Sequence, residues 1–163
     1  MLSPHFSEAE LRYDETPPVY QGNVRRLAYL LEEFRRIAGV PLRVTSVWRS
    51  PERNAAVGGV PTSRHLTGEA VDFVPVGLPV LEFWQRVVTA RNAGAAPAWG
   101  ELELDTTDGH VHVTLARFGE RNGEVFILDR NGTRVLERGT VAFVGGGILL
   151  VALLAWGLWR LTH

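Results

Sequence analysis

The sequence predicts an α+β fold, a small antiparallel sheet with helices packed on it, followed by one C-terminal transmembrane helix. Three observations predict it. Helical periodicity falls early in the chain and period-two alternation late, which favours segregated helices and strands over a doubly wound sheet. Two late segments carry hairpin signatures. A long uncharged apolar run closes the chain.

The elements follow in order. Ser7-Glu8-Ala9-Glu10 has capping-box spacing and predicts a short helix. Pro17-Pro18 separates it from a longer helix over Asn23 to Gly39, with Val24, Leu27, Leu30, Leu31 and Phe34 on one stripe and glycine at its end. After Pro41, the segment Leu42 to Val47 alternates and is rich in β-branched residues, as a strand is. Ser50-Pro51 reads as an N-cap with proline at the first helical position, opening a short helix that Gly58-Gly59 stops. A loop, Val60 to Thr67, leads to a strand over Ala70 to Val74. Pro79 to Ala93 places Val80, Phe83, Trp84 and Val87 on a helix packed against the sheet. Trp99 to Asp105 and His110 to Leu115 alternate around Thr106-Thr107-Asp108-Gly109, one hairpin; Glu124 to Glu137 around Asn131-Gly132 is the second.

From Val141 to Trp159 there are 19 residues with no charge and no Asn, Gln or Pro. At about 1.5 Å per residue this crosses roughly 30 Å of hydrocarbon. Trp156 and Trp159 beside Arg160 suit an interfacial anchor. Arg130, Arg134 and Arg138 precede the span, so the positive-inside rule favours a cytoplasmic N-terminal domain. The N-terminus lacks a basic start followed by an apolar run, so no secretory signal peptide is expected. The expected division is a domain over residues 1–117, a β-hairpin and linker over 118–139, and the transmembrane helix over 140–160.

Composition narrows the chemistry. The chain has 163 residues, 17 basic against 18 acidic, so no positive field favours phosphate backbones, and nucleic acid is not an expected partner. It has 0 cysteines, which removes disulfides, thiolate ligands and cysteine nucleophiles. A metal site must therefore use histidine and carboxylate. His65 and Asp72 lie on a loop and on the strand after it, with Gly68 between them permitting close approach of backbone. His110 and His112, two apart on a strand, share one face. Two histidines and a carboxylate leave one open position on tetrahedral zinc, the pattern of catalytic sites. Taken singly, each of these residues is more often a surface or hydrogen-bonded group than a ligand.

The wider sequence adds to this. Val44-Thr45-Ser46-Val47-Trp48-Arg49-Ser50-Pro51, then Asn54-Ala55-Ala56-Val57-Gly58-Gly59, then Ser63-Arg64-His65-Leu66-Thr67-Gly68-Glu69-Ala70-Val71-Asp72 form one extended signature. It resembles the zinc D-Ala-D-Ala carboxypeptidase and L-alanyl-D-glutamate endopeptidase family (peptidase family M15), whose fold the hedgehog signalling domain shares. The family pattern S-x-H-x-x-G-x-A-x-D and a later strand reading H-V-x-V are both present in order, over roughly residues 3 to 117. The resemblance implies Zn2+ held by His65, Asp72 and His112, with Arg49 facing substrate and stabilising the oxyanion formed when water attacks a peptide carbonyl. His110 would orient substrate or stabilise charge, and Ser63 and Glu69 fit the loop and its surroundings.

The family's general base is usually a glutamate on the strand preceding the last histidine, and here three acids, Glu101, Glu103 and Asp105, share one face of that strand. The hairpin turn places Glu103 roughly opposite His112, whereas the family's usual register favours Asp105; the expected base is Glu103 or Asp105. The implied activity is cleavage of bacterial peptidoglycan stem peptides by a membrane-anchored enzyme resembling phage endolysins, located in a virion or bacterial inner membrane. The alternative is a membrane-anchored module that binds zinc and serves in binding or structure without turnover.

Overall fold

The computed structural model describes residues 1–118, 123–128 and 134–137. In chain order these form α1 (Pro18–Ala38), β1 (Leu42–Ser46), α2 (Pro51–Ala56), a 3-10 turn (Arg64–Thr67), β2 (Ala70–Pro75), α3 (Val80–Asn92), β3 (Glu101–Asp105), β4 (His110–Thr114), β5 (Glu124–Leu128) and β6 (Arg134–Glu137). The architecture is α+β, as expected.

The long helix starts at Pro18, earlier than Asn23, because proline at the first helical position has its φ already set and no N–H to leave unpaired. It ends at Gly39, whose φ of 68° lets its N–H turn back to the Arg35 carbonyl at 2.9 Å. The short helix expected at Ser7 does not form; residues 8–15 make a run of turns instead. Its cap does form, the Ser7 hydroxyl accepting from the Glu10 N–H at 3.1 Å. Arg12 then takes a φ of 50° and diverts the chain, which seats Leu2, Phe6 and Leu11 in the core. The loop before β2 contains the 3-10 turn, closed at Gly68 with φ 65°.

The strands make one six-stranded sheet in the order β1-β2-β4-β3-β5-β6. Every pairing is antiparallel except β3 with β5, so the expected all-antiparallel sheet is corrected at one pair. The reason is occupancy: β4 inserts between β2 and β3 and uses both its edges, leaving β3's outer edge for the returning chain. The second hairpin thus extends the same sheet.

Helices α1 and α3 cover one face. Phe34 of α1 lies at the centre, its ring centroid 6.3 Å from Phe73, 5.9 Å from Phe83 and 5.9 Å from Trp99. Along β3 and β4, Leu102, Leu104, Val111 and Val113 point into this core and are fully buried. The alternate residues, Glu101, Glu103, Asp105, His110 and His112, therefore belong to the opposite face. Among the described residues no helix is long and apolar enough to cross a membrane. The transmembrane segment expected at Val141 to Trp159, like the Asn131-Gly132 turn, lies outside the described residues.

Candidate metal centre

The uncovered face of the sheet forms the floor of a cleft of about 510 Å³, walled by the loop from Gly58 to His65. Strand register places its key side chains. Asp72 of β2 lies opposite His112 of β4, and His112 lies opposite Glu103 of β3. Three adjacent strands thus present a carboxylate, an imidazole and a carboxylate in one row on one face. His65 enters from the side, at the 3-10 turn that Gly68 ends; a β-carbon at Gly68 would meet the Val24 side chain at 3.2 Å, so the turn packs tightly on α1.

These elements bring His65, Asp72 and His112 together. His65 Nε2 is 3.2 Å from Asp72 Oδ1 and 3.3 Å from His112 Nδ1, and His112 Nδ1 is 2.7 Å from the same Asp72 oxygen. The three ligand atoms all lie within 4.8 Å of one another, and the three side chains could hold a metal ion. Tetrahedral ligands at about 2.0–2.1 Å from zinc stand roughly 3.3 Å apart, which two of the three separations match and the third undercuts.

The donor chemistry also fits a cation. His65 Nδ1 bonds the Val47 carbonyl, which only accepts, so Nδ1 carries the proton and Nε2 of the neutral ring turns a bare lone pair toward Asp72 and His112. Lone pairs converging this closely need positive charge among them, supplied by ring protons or by one divalent ion. Burial of Asp72 pushes its pKa up, but hydrogen bonding from the His112 ring, with the His65 ring beside it, outweighs this and holds the carboxyl well below its ordinary range. Asp72 therefore stays an anion through ordinary pH.

Arg49 lines the cleft and also reaches behind the cluster. Its Nη2 pairs with Asp72 Oδ2, and its Nε donates to the Ser46 hydroxyl at 2.8 Å. The guanidinium thus fixes the carboxylate whose other oxygen faces the histidines, a contact between residues 23 apart that the sequence reading did not foresee. The two expected bases are placed differently. Glu103 and Glu101 line the cleft with His110. Asp105 does not border it; its Oδ1 accepts from the Thr107 and Asp108 N–H groups at 2.7 and 3.0 Å, and its Oδ2 is 3.8 Å from His110 Nδ1. It caps the β3–β4 turn.

Ser63 borders the cleft, while Glu69 lies behind it, accepting from Thr67 Oγ1 at 2.8 Å and from Arg117 Nε at 3.0 Å. Arg64, to which no role was assigned from the sequence, donates Nη1 to the Leu115 carbonyl at 2.9 Å and ties the loop to the end of β4.

Residues 4–114, more than half of the chain, match the model of a protein family described as Peptidase M15. No curated protein matches the chain.

Proposed function

The chain belongs to the peptidase M15 family of metallopeptidases, and on that premise we propose that it is a zinc peptidase that cleaves bacterial peptidoglycan stem peptides. The observation that carries this reading is the convergence of His65, Asp72 and His112 on one point of an open cleft, with Glu103 opposite His112 on the adjoining strand. Zinc held by those three side chains would polarise a peptide carbonyl and lower the pKa of a bound water to near neutrality.

The chain's own residues do the rest. Glu103, which borders the cleft where Asp105 does not, is the proposed general base: it takes a proton from the attacking water and returns it to the departing amine nitrogen. Arg49 holds Asp72 in orientation through Nη2, and its cationic head at the cleft wall offsets negative charge developing on the carbonyl oxygen. The Val47 carbonyl keeps His65 in the tautomer that presents Nε2. His110, at the end of the same floor, is placed to contact bound substrate.

The membrane and cell-wall parts of the reading rest on the sequence. The uncharged run Val141 to Trp159 supports anchoring in a membrane, that of a virion or the bacterial inner membrane, in a phage or prophage setting. The test is digestion of purified peptidoglycan by the full chain in detergent, with added zinc or with chelator, the products read by mass spectrometry. Chelator-sensitive release of a defined stem-peptide fragment is expected. A folded, zinc-loaded protein that releases nothing would leave a binding or structural module.

A further inference from the structure

The loop that walls the cleft is held from behind by one buried side chain. Asn54 of α2 is 3% exposed and donates its amide protons to two successive carbonyls of that loop, Gly59 at 3.1 Å and Val60 at 2.9 Å. The Val60 carbonyl also accepts from the Ser63 N–H at 3.0 Å, which closes a turn with Pro61 at its second position. Asn54 Oδ1 has no hydrogen-bond partner among the described residues, a cost that an apolar side chain of the same size would not carry. Against that oxygen lies Gly59, where a β-carbon would approach to 2.2 Å. Only glycine there leaves the amide where it is.

Fixing those carbonyls also aims an N–H. The described chain has no cis peptide bond, so the Val60 N–H points opposite to the Gly59 carbonyl. That carbonyl points back at α2, and no residue of α2 borders the cleft, whereas Gly59 and Val60 both do. The N–H therefore faces the cleft side. It has no hydrogen-bond acceptor among the described residues. Its neighbour on that wall is the Val60 side chain, 61% exposed. A single neutral donor beside an apolar side chain suits a peptide backbone, which offers a carbonyl about every 3.3–3.6 Å when extended.

We propose that the Val60 N–H is a substrate-binding donor that takes a backbone carbonyl or terminal carboxylate of the bound peptide, and that Asn54 is the positioning residue that aims it, with Gly59 making the room. This deepens the peptidase reading and rests on it. The test uses the full chain, zinc-loaded, and the synthetic stem peptide L-Ala-γ-D-Glu-L-Lys-D-Ala-D-Ala. Val60→Pro deletes the N–H, and Val60→Ala serves as its control for the lost side chain. Against Val60→Ala it should raise KM by about tenfold with kcat within about twofold and zinc content unchanged, the size of one lost hydrogen bond. Asn54→Leu should raise KM in the same way.

A second readout is independent of turnover and of how Val60→Pro folds. In the Glu103→Gln variant, adding the peptide should slow hydrogen exchange at the Val60 amide by at least about tenfold, since exchange needs the bond to open. Equal KM for Val60→Pro and Val60→Ala, or a bound peptide that leaves Val60 exchange unchanged, would overturn the proposal while leaving the peptidase reading intact. If wild-type protein neither binds nor cuts the peptide, the peptidase reading fails and this one fails with it.

Discussion

On β3 and β4, Leu102, Leu104, Val111 and Val113 face the helices and are closed to solvent, while Glu101, Glu103, His110 and His112, one residue away on the same strands, face the cleft and stay partly open. The first set joins a core in which Phe34 touches three other aromatic rings, and its residues contribute by area and fit. The second set contributes by distance and charge. Asp72 shows what happens where the two requirements meet: β2 is buried along nearly its whole length, so this carboxylate is largely closed off and is held ionised by His112 and His65, with Arg49 paired to its other oxygen. A one-residue slip of register would exchange the two sets, which is why the alternation in β3 and β4 specifies the site and the core together.

The sharpest way to break the comparison is at the floor of the cleft. Glu103→Gln should lower kcat on stem peptide by about 10²–10⁴-fold, the range for loss of a general base, with zinc content and melting temperature unchanged. Asp105→Asn should do the reverse, leaving most of the turnover and weakening the turn it caps. Equal loss from both variants would remove the distinction between a cleft acid and a turn acid.

The matching experiment on the other face is Phe34→Ala. Deleting a fully buried ring should cost about 3–5 kcal/mol of stability in denaturant titration, while the folded fraction keeps its KM and its zinc affinity. A large change in KM at unchanged stability would mean that the helix face sets the site as directly as the cleft face does.

The smallest effect expected is at Glu69, whose carboxylate fastens Arg117, just past β4, back to the start of β2. Hydrogen bonding from Arg117 is the main cause that holds its carboxyl below the ordinary 4.5, with burial opposing and Thr67 assisting. Because the folded pKa is depressed, the stabilisation is complete above the ordinary value and is lost as pH falls through the lower folded one. Glu69→Gln should therefore cost about 1 kcal/mol or less near neutral pH, since Arg117 is partly solvated, and the gap between wild type and variant should close on acidification. A gap that widens in acid would contradict the assigned direction.

Much of the site was legible in the sequence, for local reasons. His65 and Asp72 lie on either side of one glycine-ended turn, and His112 sits one hairpin from Glu103, so short-range geometry brings each into position. The opposition of Glu103 to His112 followed from the length of the turn alone. Long-range contacts were not legible: the reach of Arg49 to Asp72, the Val47 carbonyl on His65 and the parallel seat of β5 beside β3 depend on which strand edges are free, and no periodicity encodes that. The Ser7 helix failed for a different reason. Its cap chemistry was present and forms, but burial of Phe6 and Leu11 prevails over continued helix, and Arg12 takes the left-handed turn this requires. Asp105 was an ambiguous acid in the sequence because turn capping and proton transfer both call for a carboxylate at a strand end.

The most direct test of the central claim is zinc binding by the full chain in detergent, measured by titration calorimetry with X-ray absorption at the zinc edge, for wild type and for Asp72→Ala. We expect one zinc per chain, a first shell of two imidazole nitrogens and light oxygen donors at about 2.0–2.2 Å, and at least a hundredfold weaker binding without Asp72. Zinc that does not bind, or that binds equally well when Asp72 is alanine, would contradict it.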